Sequence, residues 1–329
     1  MKKVLVTGGA GYIGSHTIVQ LVEAGYNPII IDNLCNTSIK NINGIKKITG
    51  KNVKWHNVNC TDKIAMQKIF KQEGKVLGVI HSAAYKSIVE SFKNPDKYYK
   101  NNLGSLEVLL ECMKENEVEN IIFSSSCTVY GVPDILPISE DTPFKKAESV
   151  YGETKQLCEK ILLDNTCNSV ALRYFNPIGS HKSVLIGDYS LEKASNIVPI
   201  ITETAIGKRK KMTVFGNDYN TPDGTCIRDY IHVVDLARSH VLAMEFILSN
   251  SGKHAFNVGT GIGISVLELI HIFEKANKVK LNYMIGDRRK GDIEEIYADG
   301  ELVKSKLGWK AQESLKEAMI SAWDWEKSK

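Results

Sequence analysis

Nowhere in its 329 residues does this chain run for the ~18 apolar residues of a membrane-spanning helix, which excludes a helical span. Its first apolar run, Val4–Val6, stops at Thr7 and is too short for the core of a secretion signal. The seven cysteines (35, 60, 112, 127, 158, 167 and 226) are odd in number and form no CxxC pair. Neither a disulfide framework nor a zinc site is therefore expected, and a reducing, cytoplasmic location fits. None of the eight histidines has metal-ligand spacing, so no metal is expected, and His16 reads as structural. Charge of one sign is also lacking, with 42 Lys and Arg against 38 Asp and Glu. The only dense basic run, Lys208–Lys211, reads as a solvated turn, because a nucleic-acid surface needs a wider basic face. Internal repeats and low-complexity segments are absent. What remains, 43% hydrophobic and 24% charged residues, is the balance of a soluble globular protein. The length exceeds the ~250–300 residues at which single cores stop growing, which predicts two lobes.

The apolar runs Val4–Val6, Pro28–Ile31, Val53–Trp55, Val76–His81, Asn120–Phe123 and Val170–Arg173 alternate with longer helical patterns. That alternation predicts an α/β fold, a Rossmann-type doubly wound parallel sheet. Tyr98–Asn116 and Tyr151–Thr166 read as long helices. On the first, Leu103, Leu106, Leu109, Leu110 and Met113 form a stripe suited to a core or to a dimer face. Beyond Tyr174 the pattern loosens, with strands expected at Met212–Phe215 and Ala255–Val258 and helices at Val234–Leu248, Val266–Ala276 and Leu315–Trp325. Trp323 and Trp325 read as packing anchors. The division expected is 1–175 for a nucleotide-binding domain and 176–329 for a smaller mixed α/β lobe, with some segments returning to the main sheet. Ligands of such folds sit beyond the carboxyl ends of the strands, so a cleft between the lobes should hold the substrate.

Three glycines, Gly8, Gly11 and Gly14, follow the first apolar run and open a helix pattern. Glycine lets the backbone turn tightly and approach a pyrophosphate, and the helix N-terminus offers it free N–H groups. Asp32 ends the second run 18 residues past Gly14, near the ~20 expected of the acid that accepts adenosine ribose hydroxyls. Its charge would repel a 2′-phosphate, which favours NAD over NADP. Ser124, Ser125 and Ser126 tip the fifth strand, and Tyr151 and Lys155 share a helix face. A lysine there is expected to lower the phenol pKa from ~10 and make Tyr151 a general base.

TGGAGYIG (7–14), the serine run before VYG, and YGETK (151–155) resemble the extended short-chain dehydrogenase/reductases. DNLCNT (32–37), RYFNPIG (173–179), FGNDY (215–219), DGTCIRDYIHV (223–233) and RRKGD (288–292) are similar to the UDP-hexose 4-epimerases within them, over Lys2 to Trp325. The resemblance implies that UDP-galactose and UDP-glucose are interconverted by transient oxidation at C4 with tightly bound NAD. Tyr151 would take the 4-hydroxyl proton, Ser126 would hydrogen-bond the same oxygen, and Lys155 would bind the nicotinamide ribose. Cofactor contacts are implied for Gly8, Gly11, Tyr12, Ile13, Gly14, Asp32, Asn33, Asn36, Thr37, Asn59, Cys60, Ser82, Ala83, Ala84, Lys86, Asn101 and Phe175, besides the three catalytic residues. Substrate contacts are implied for Lys86, Ser126, Tyr151, Asn176, Asn196, Val214, Phe215, Arg228, Arg289, Asp292 and Ile296. The two arginines would meet the diphosphate and Asp292 the uridine ribose. Ile296, smaller than the aromatic that crowds an acetamido group, implies that N-acetylated UDP-hexosamines also enter. A homodimer paired through the two long helices is implied as well.

The chain departs from that pattern at Asn59 and Cys60, where an acid near the adenine is usual, and at Ser82, Ala84 and Tyr85. The 183–195 loop reads as a shortened sugar-side lid. A nucleotide-sugar dehydratase or decarboxylase of the same fold is the alternative, but Thr128 and Val129 stand where a dehydratase would carry an acidic pair. A non-catalytic NAD-binding regulator would have no reason to keep both Tyr151 and Lys155.

Overall fold

The computed structural model describes every residue except Met1, Glu192, Lys193 and Lys290. Its strands are β1 (Lys3–Thr7), β2 (Asn27–Ile31), β3 (Lys54–His56), β4 (Gly78–His81), β5 (Asn120–Ser126), β6 (Asn168–Tyr174), β7 (Asn176–Ile178), β8 (Met212–Phe215), β9 (Ile227–His232), β10 (Lys253–Val258), β11 (Gly263–Ser265), β12 (Tyr283–Gly286) and β13 (Glu295–Ile296). Val4, Leu5 and Val6 are fully buried, as a parallel strand covered on both faces must be. The main sheet runs β10-β6-β5-β4-β1-β2-β3, and every pair in it is parallel. The chain reverses direction across the sheet between β1 and β4, which opens a crevice at their carboxyl ends.

Helices cover both faces. Ile18 and Leu21 of the helix Tyr12–Glu23 share one core with Leu236 and Met244 of Val233–Ile247. On the other face, Phe70 of Lys63–Glu73 meets Leu106, Leu109, Leu110 and Met113 of Gly104–Glu115, and Leu162 of Val150–Asp164. The leucine stripe is thus core within one chain, not a dimer face. The helix read as Tyr98–Asn116 is interrupted. A short helix, Pro95–Tyr98, passes through a π-helical turn at Tyr99–Leu103 before Gly104–Glu115 begins. Buried Asn102 accounts for the break, since its side chain accepts from Tyr85 N (2.9 Å) and donates to Tyr85 O (3.1 Å) and Thr154 Oγ1 (3.2 Å).

The strand expected at Ala255–Val258 returns to the main sheet as β10, paired with β6 from Lys253↔Ser169 to Val258↔Tyr174. In the smaller lobe β9 lies between antiparallel β11 and parallel β13, and β7 pairs with its far end. β8 pairs in parallel with β12, a strand the sequence pattern does not announce. Ile201, Met212, Val214, Phe273 and Met319 fill the core of this lobe. Among the described residues no helix is long and apolar enough to cross a membrane.

Candidate active site

The glycine turn is forced by its surroundings. Gly8 has φ +68°, and a Cβ added to it would stand 2.8 Å from Ala83 N. A Cβ on Gly14 would stand 2.1 Å from Gly8 O, so any side chain there would separate turn from helix. The helix Tyr12–Glu23 starts at Gly11 with no side-chain cap, leaving its first N–H groups for a ligand. Asp32, at the end of β2, accepts from Ala10 N (3.0 Å) and Leu34 N (2.8 Å) through different oxygens. Burial pushes its carboxyl pKa up, and these N–H groups draw it down. A carboxylate has acceptor sites beyond these for a ribose hydroxyl.

These residues line an open cleft. The structure brings together there Gly8, Gly11, Tyr12, Ile13, Gly14, Asp32, Asn33, Asn36, Thr37, Asn59, Cys60, Ser82, Ala83, Ala84, Lys86 and Asn101. Cys35, Val58, Tyr85, Ser105, Tyr174, Asp188 and Ser190 line it too, beyond the residues the sequence singles out. Asp188 and Ser190 belong to the 183–195 loop read as a sugar-side lid, of which Glu192 and Lys193 lie outside the described residues, and both line this cleft. That loop is fastened from two directions. Asn41 exchanges hydrogen bonds with the Gly187 backbone (3.1 and 3.2 Å). Trp325, from the helix Leu315–Ser328, donates to Asp188 O (3.3 Å), packs edge-on against Tyr189 and sits where a Gly187 Cβ would be. Lys86 reaches across to Asp188 at 3.6 Å.

Ser126, Tyr151 and Lys155 are not among the residues lining this cleft, although Ser124, next to Ser126 in the strand, meets the lining residue Ser82 through their Oγ atoms (2.8 Å). Ser149 caps the helix Val150–Asp164 by accepting from Gly152 N (3.1 Å), which puts Tyr151 in its first turn. Lys155 Nζ donates to Ser124 O (2.7 Å) and lies 5.8 Å from the Tyr151 ring. Burial pushes the Tyr151 phenol well above its usual value, and a hydrogen bond with Ser126 draws it down. Burial also lowers Lys155 to about 8, against the pull of nearby Cys158 and Glu159 towards its charged form. The expected lowering of the phenol pKa is therefore not met by the chain alone. Taking the oxygen out of water outweighs a lysine held by a backbone carbonyl.

Phe175 belongs to an apolar cluster with Cys127, Tyr130 and Ile296 rather than to the cleft. Ile296 is 2% exposed and pairs with Arg228 between β13 and β9. Arg228 Nη1 donates to Ile227 O (2.8 Å) and Glu294 O (3.4 Å). Arg289 forms an ion pair with Asp292 (2.6 Å) and lies 5.6 Å from the Phe215 ring. Val214 is 1% exposed in the lobe core, so the structure does not offer it to a ligand. Asn176 opens β7, and Asn196 precedes the helix Ile197–Ala205 without capping it. His16 is buried, with Nδ1 2.7 Å from Tyr12 O, and burial lowers it to about 3. Among the described residues no three His, Cys, Asp or Glu side chains are grouped to hold a metal.

A tyrosine and a lysine on one helix, set against a serine-tipped strand beside a dinucleotide cleft, define the class of short-chain dehydrogenase/reductases. Residues 5–321 match the family model described as GDP-mannose 4,6 dehydratase. The chain belongs to this extended family and, within it, to the UDP-glucose 4-epimerases. It is 46% identical to the UDP-glucose 4-epimerase of Dictyostelium discoideum, over 98% of this chain and 95% of that protein. It is 42% identical to the human one, over 99% and 97%. The crystal structure of the Bifidobacterium longum UDP-glucose 4-epimerase in complex with NAD+ and UDP superposes with a TM-score of 0.95 at 43% identity, covering 99% of this chain and 98% of that one.

Proposed function

We propose that this protein interconverts UDP-galactose and UDP-glucose through transient oxidation at sugar C4, with NAD held in the glycine-turn cleft and Tyr151 as the acid–base group. The observation that carries it is the joining of Ser126, Tyr151 and Lys155 at the serine tail of β5, beside a cleft in which a Cβ on Gly8 or Gly14 would clash. Inverting an unactivated carbinol carbon needs such oxidation, because its C–H is too weakly acidic for direct proton abstraction. Bound there, NAD would supply the hydride acceptor.

The chain does the rest. Tyr151 takes the 4-hydroxyl proton and returns it, Ser126 hydrogen-bonds the same oxygen, and Lys155 favours the phenolate. Arg228 and Arg289 bind the diphosphate; guanidinium suits phosphate because it donates two parallel hydrogen bonds. Arg289 then exchanges its Asp292 partner for phosphate, freeing Asp292 for the uridine ribose. Residues 1–175 hold mainly the cofactor and 176–329 mainly the nucleotide sugar. The substrate range extends to UDP-N-acetylhexosamines, and the protein works in the cytoplasm as a homodimer.

Purified protein incubated with UDP-galactose and no added cofactor should yield UDP-glucose, and denaturation should release NAD. A protein that turns over only with added NADP overturns the assignment of Asp32. Formation of a 4-keto-6-deoxy sugar would mark a dehydratase instead, against the absence of an acid at Thr128 and Val129.

A further inference from the structure

Tyr151, Lys155 and Glu159 are spaced four residues apart and share a face of the helix Val150–Asp164. Each faces a different residue of the β5 tail, Ser124–Ser126. Ser126 draws the Tyr151 phenol pKa down, Lys155 donates to Ser124 O (2.7 Å), and Glu159 Oε1 accepts from Ser125 Oγ (2.5 Å). The first two belong to the mechanism above, and Glu159 does not. It is 4% exposed and carries a bidentate ion pair with Arg173, through Nε (3.1 and 3.2 Å) and Nη2 (2.7 Å). Arg173 sits on β6 directly opposite Ser125 in the sheet register. Its Nη1 donates to the Tyr130 hydroxyl (2.9 Å), which in turn donates to Asn257 Oδ1 on β10 (2.7 Å). One buried network thus ties the helix to three neighbouring strands.

A buried ion pair adds little stability over apolar residues of the same volume, whereas it demands one geometry to be satisfied. Its position says what that geometry serves, because Ser125 adjoins Ser126 and Glu159 lies two helical turns from Tyr151. We infer that Glu159, Arg173 and Ser125 are positioning residues that set the Tyr151 phenol against the Ser126 hydroxyl. This rests on the reading of Tyr151 and Ser126 as the acid–base pair.

The test compares Ser125→Ala, Glu159→Gln and the double variant Glu159→Met/Arg173→Met in UDP-galactose turnover, with NAD content and thermal unfolding measured in parallel. Misplacing reacting groups by ~1 Å costs about 100-fold. Ser125→Ala, which removes one tie, should lower kcat about tenfold at unchanged KM and NAD content, and Glu159→Gln up to about 100-fold. The double variant leaves no lone buried charge, so it should unfold no earlier than wild type yet keep a low kcat. A merely structural pair predicts the opposite, full kcat once stability is restored. Wild-type kcat in Ser125→Ala or in a folded double variant overturns the inference. Tyr151→Phe separates the two levels. If it turns over normally the acid–base reading falls, whereas if it is inactive while Ser125→Ala runs at the wild-type rate, only the positioning role falls.

Discussion

The Tyr151 hydroxyl carries a proton that burial makes hard to remove, so its loss should be felt in kcat rather than in folding. Tyr151→Phe should lower kcat by about 10²- to 10⁴-fold with NAD content unchanged, measured by UDP-glucose formation. Lys155→Met takes away the cation that favours the phenolate, so the phenol pKa rises and the optimum moves to more alkaline pH. An unchanged pH profile would remove that role. At Ile296 the expectation is a wall that admits an acetamido group. Wild type should interconvert UDP-N-acetylglucosamine and UDP-N-acetylgalactosamine, and Ile296→Tyr should suppress that activity relative to the plain hexoses. An equal ratio in both proteins would show that Ile296, 2% exposed among Cys127, Tyr130 and Phe175, only packs. Single residues were legible where spacing carries meaning, as for Asp32 after the glycines. They were not legible where a side chain arrives from far along the chain, as Asp188 does. The inward orientation of Val214 was likewise hidden, because a four-residue strand has too little alternation to show which face is buried.

Helices and strands obey a longer-range logic. The helix Val150–Asp164 starts where it does because Ser149 satisfies the Gly152 N–H, so Ser149→Ala should cost about 1 kcal/mol in urea unfolding. Because Tyr151 lies in that first turn, kcat should fall with it; an unchanged midpoint would show that the cap is redundant. The alternation of apolar runs with helical patterns was enough to place the six strands up to β6 in the sheet. It could not place the π-helical turn at Tyr99–Leu103, since leucine spacing is blind to Asn102 reaching the Tyr85 backbone. Nor could it announce β12, whose Met284 and Ile285 are exposed and whose order comes from pairing with β8.

The molecule as a whole is built to hold neutral imidazoles. Burial lowers His16 and His81 to about 3 and His232 and His240 to about 4. Unfolded, all four would take protons near pH 6.5. Between those values the unfolded chain binds more protons than the folded one, so stability is complete above pH 6.5 and falls as pH drops through that window. Each group contributes about 1.4 kcal/mol per pH unit. Carboxyls raised by burial, such as Asp32 and Asp229, act in the opposite direction. The urea midpoint should decline steeply from pH 6.5 to 5, and a flat profile would contradict the burial of these rings.

The seat of Trp325 against Gly187, Asp188 and Tyr189, with Asp188 lining the cleft, is expected to make the residence time of the dinucleotide depend on the C-terminal helix. An enzyme that regenerates its own oxidant in each cycle gains nothing from exchange, and a latch remote from the chemistry can slow escape without slowing turnover. Trp325→Ala should therefore shed NAD during gel filtration while retaining near-normal kcat when NAD is supplied in excess. Equal retention by variant and wild type would place the hold on the cofactor in the glycine turn alone.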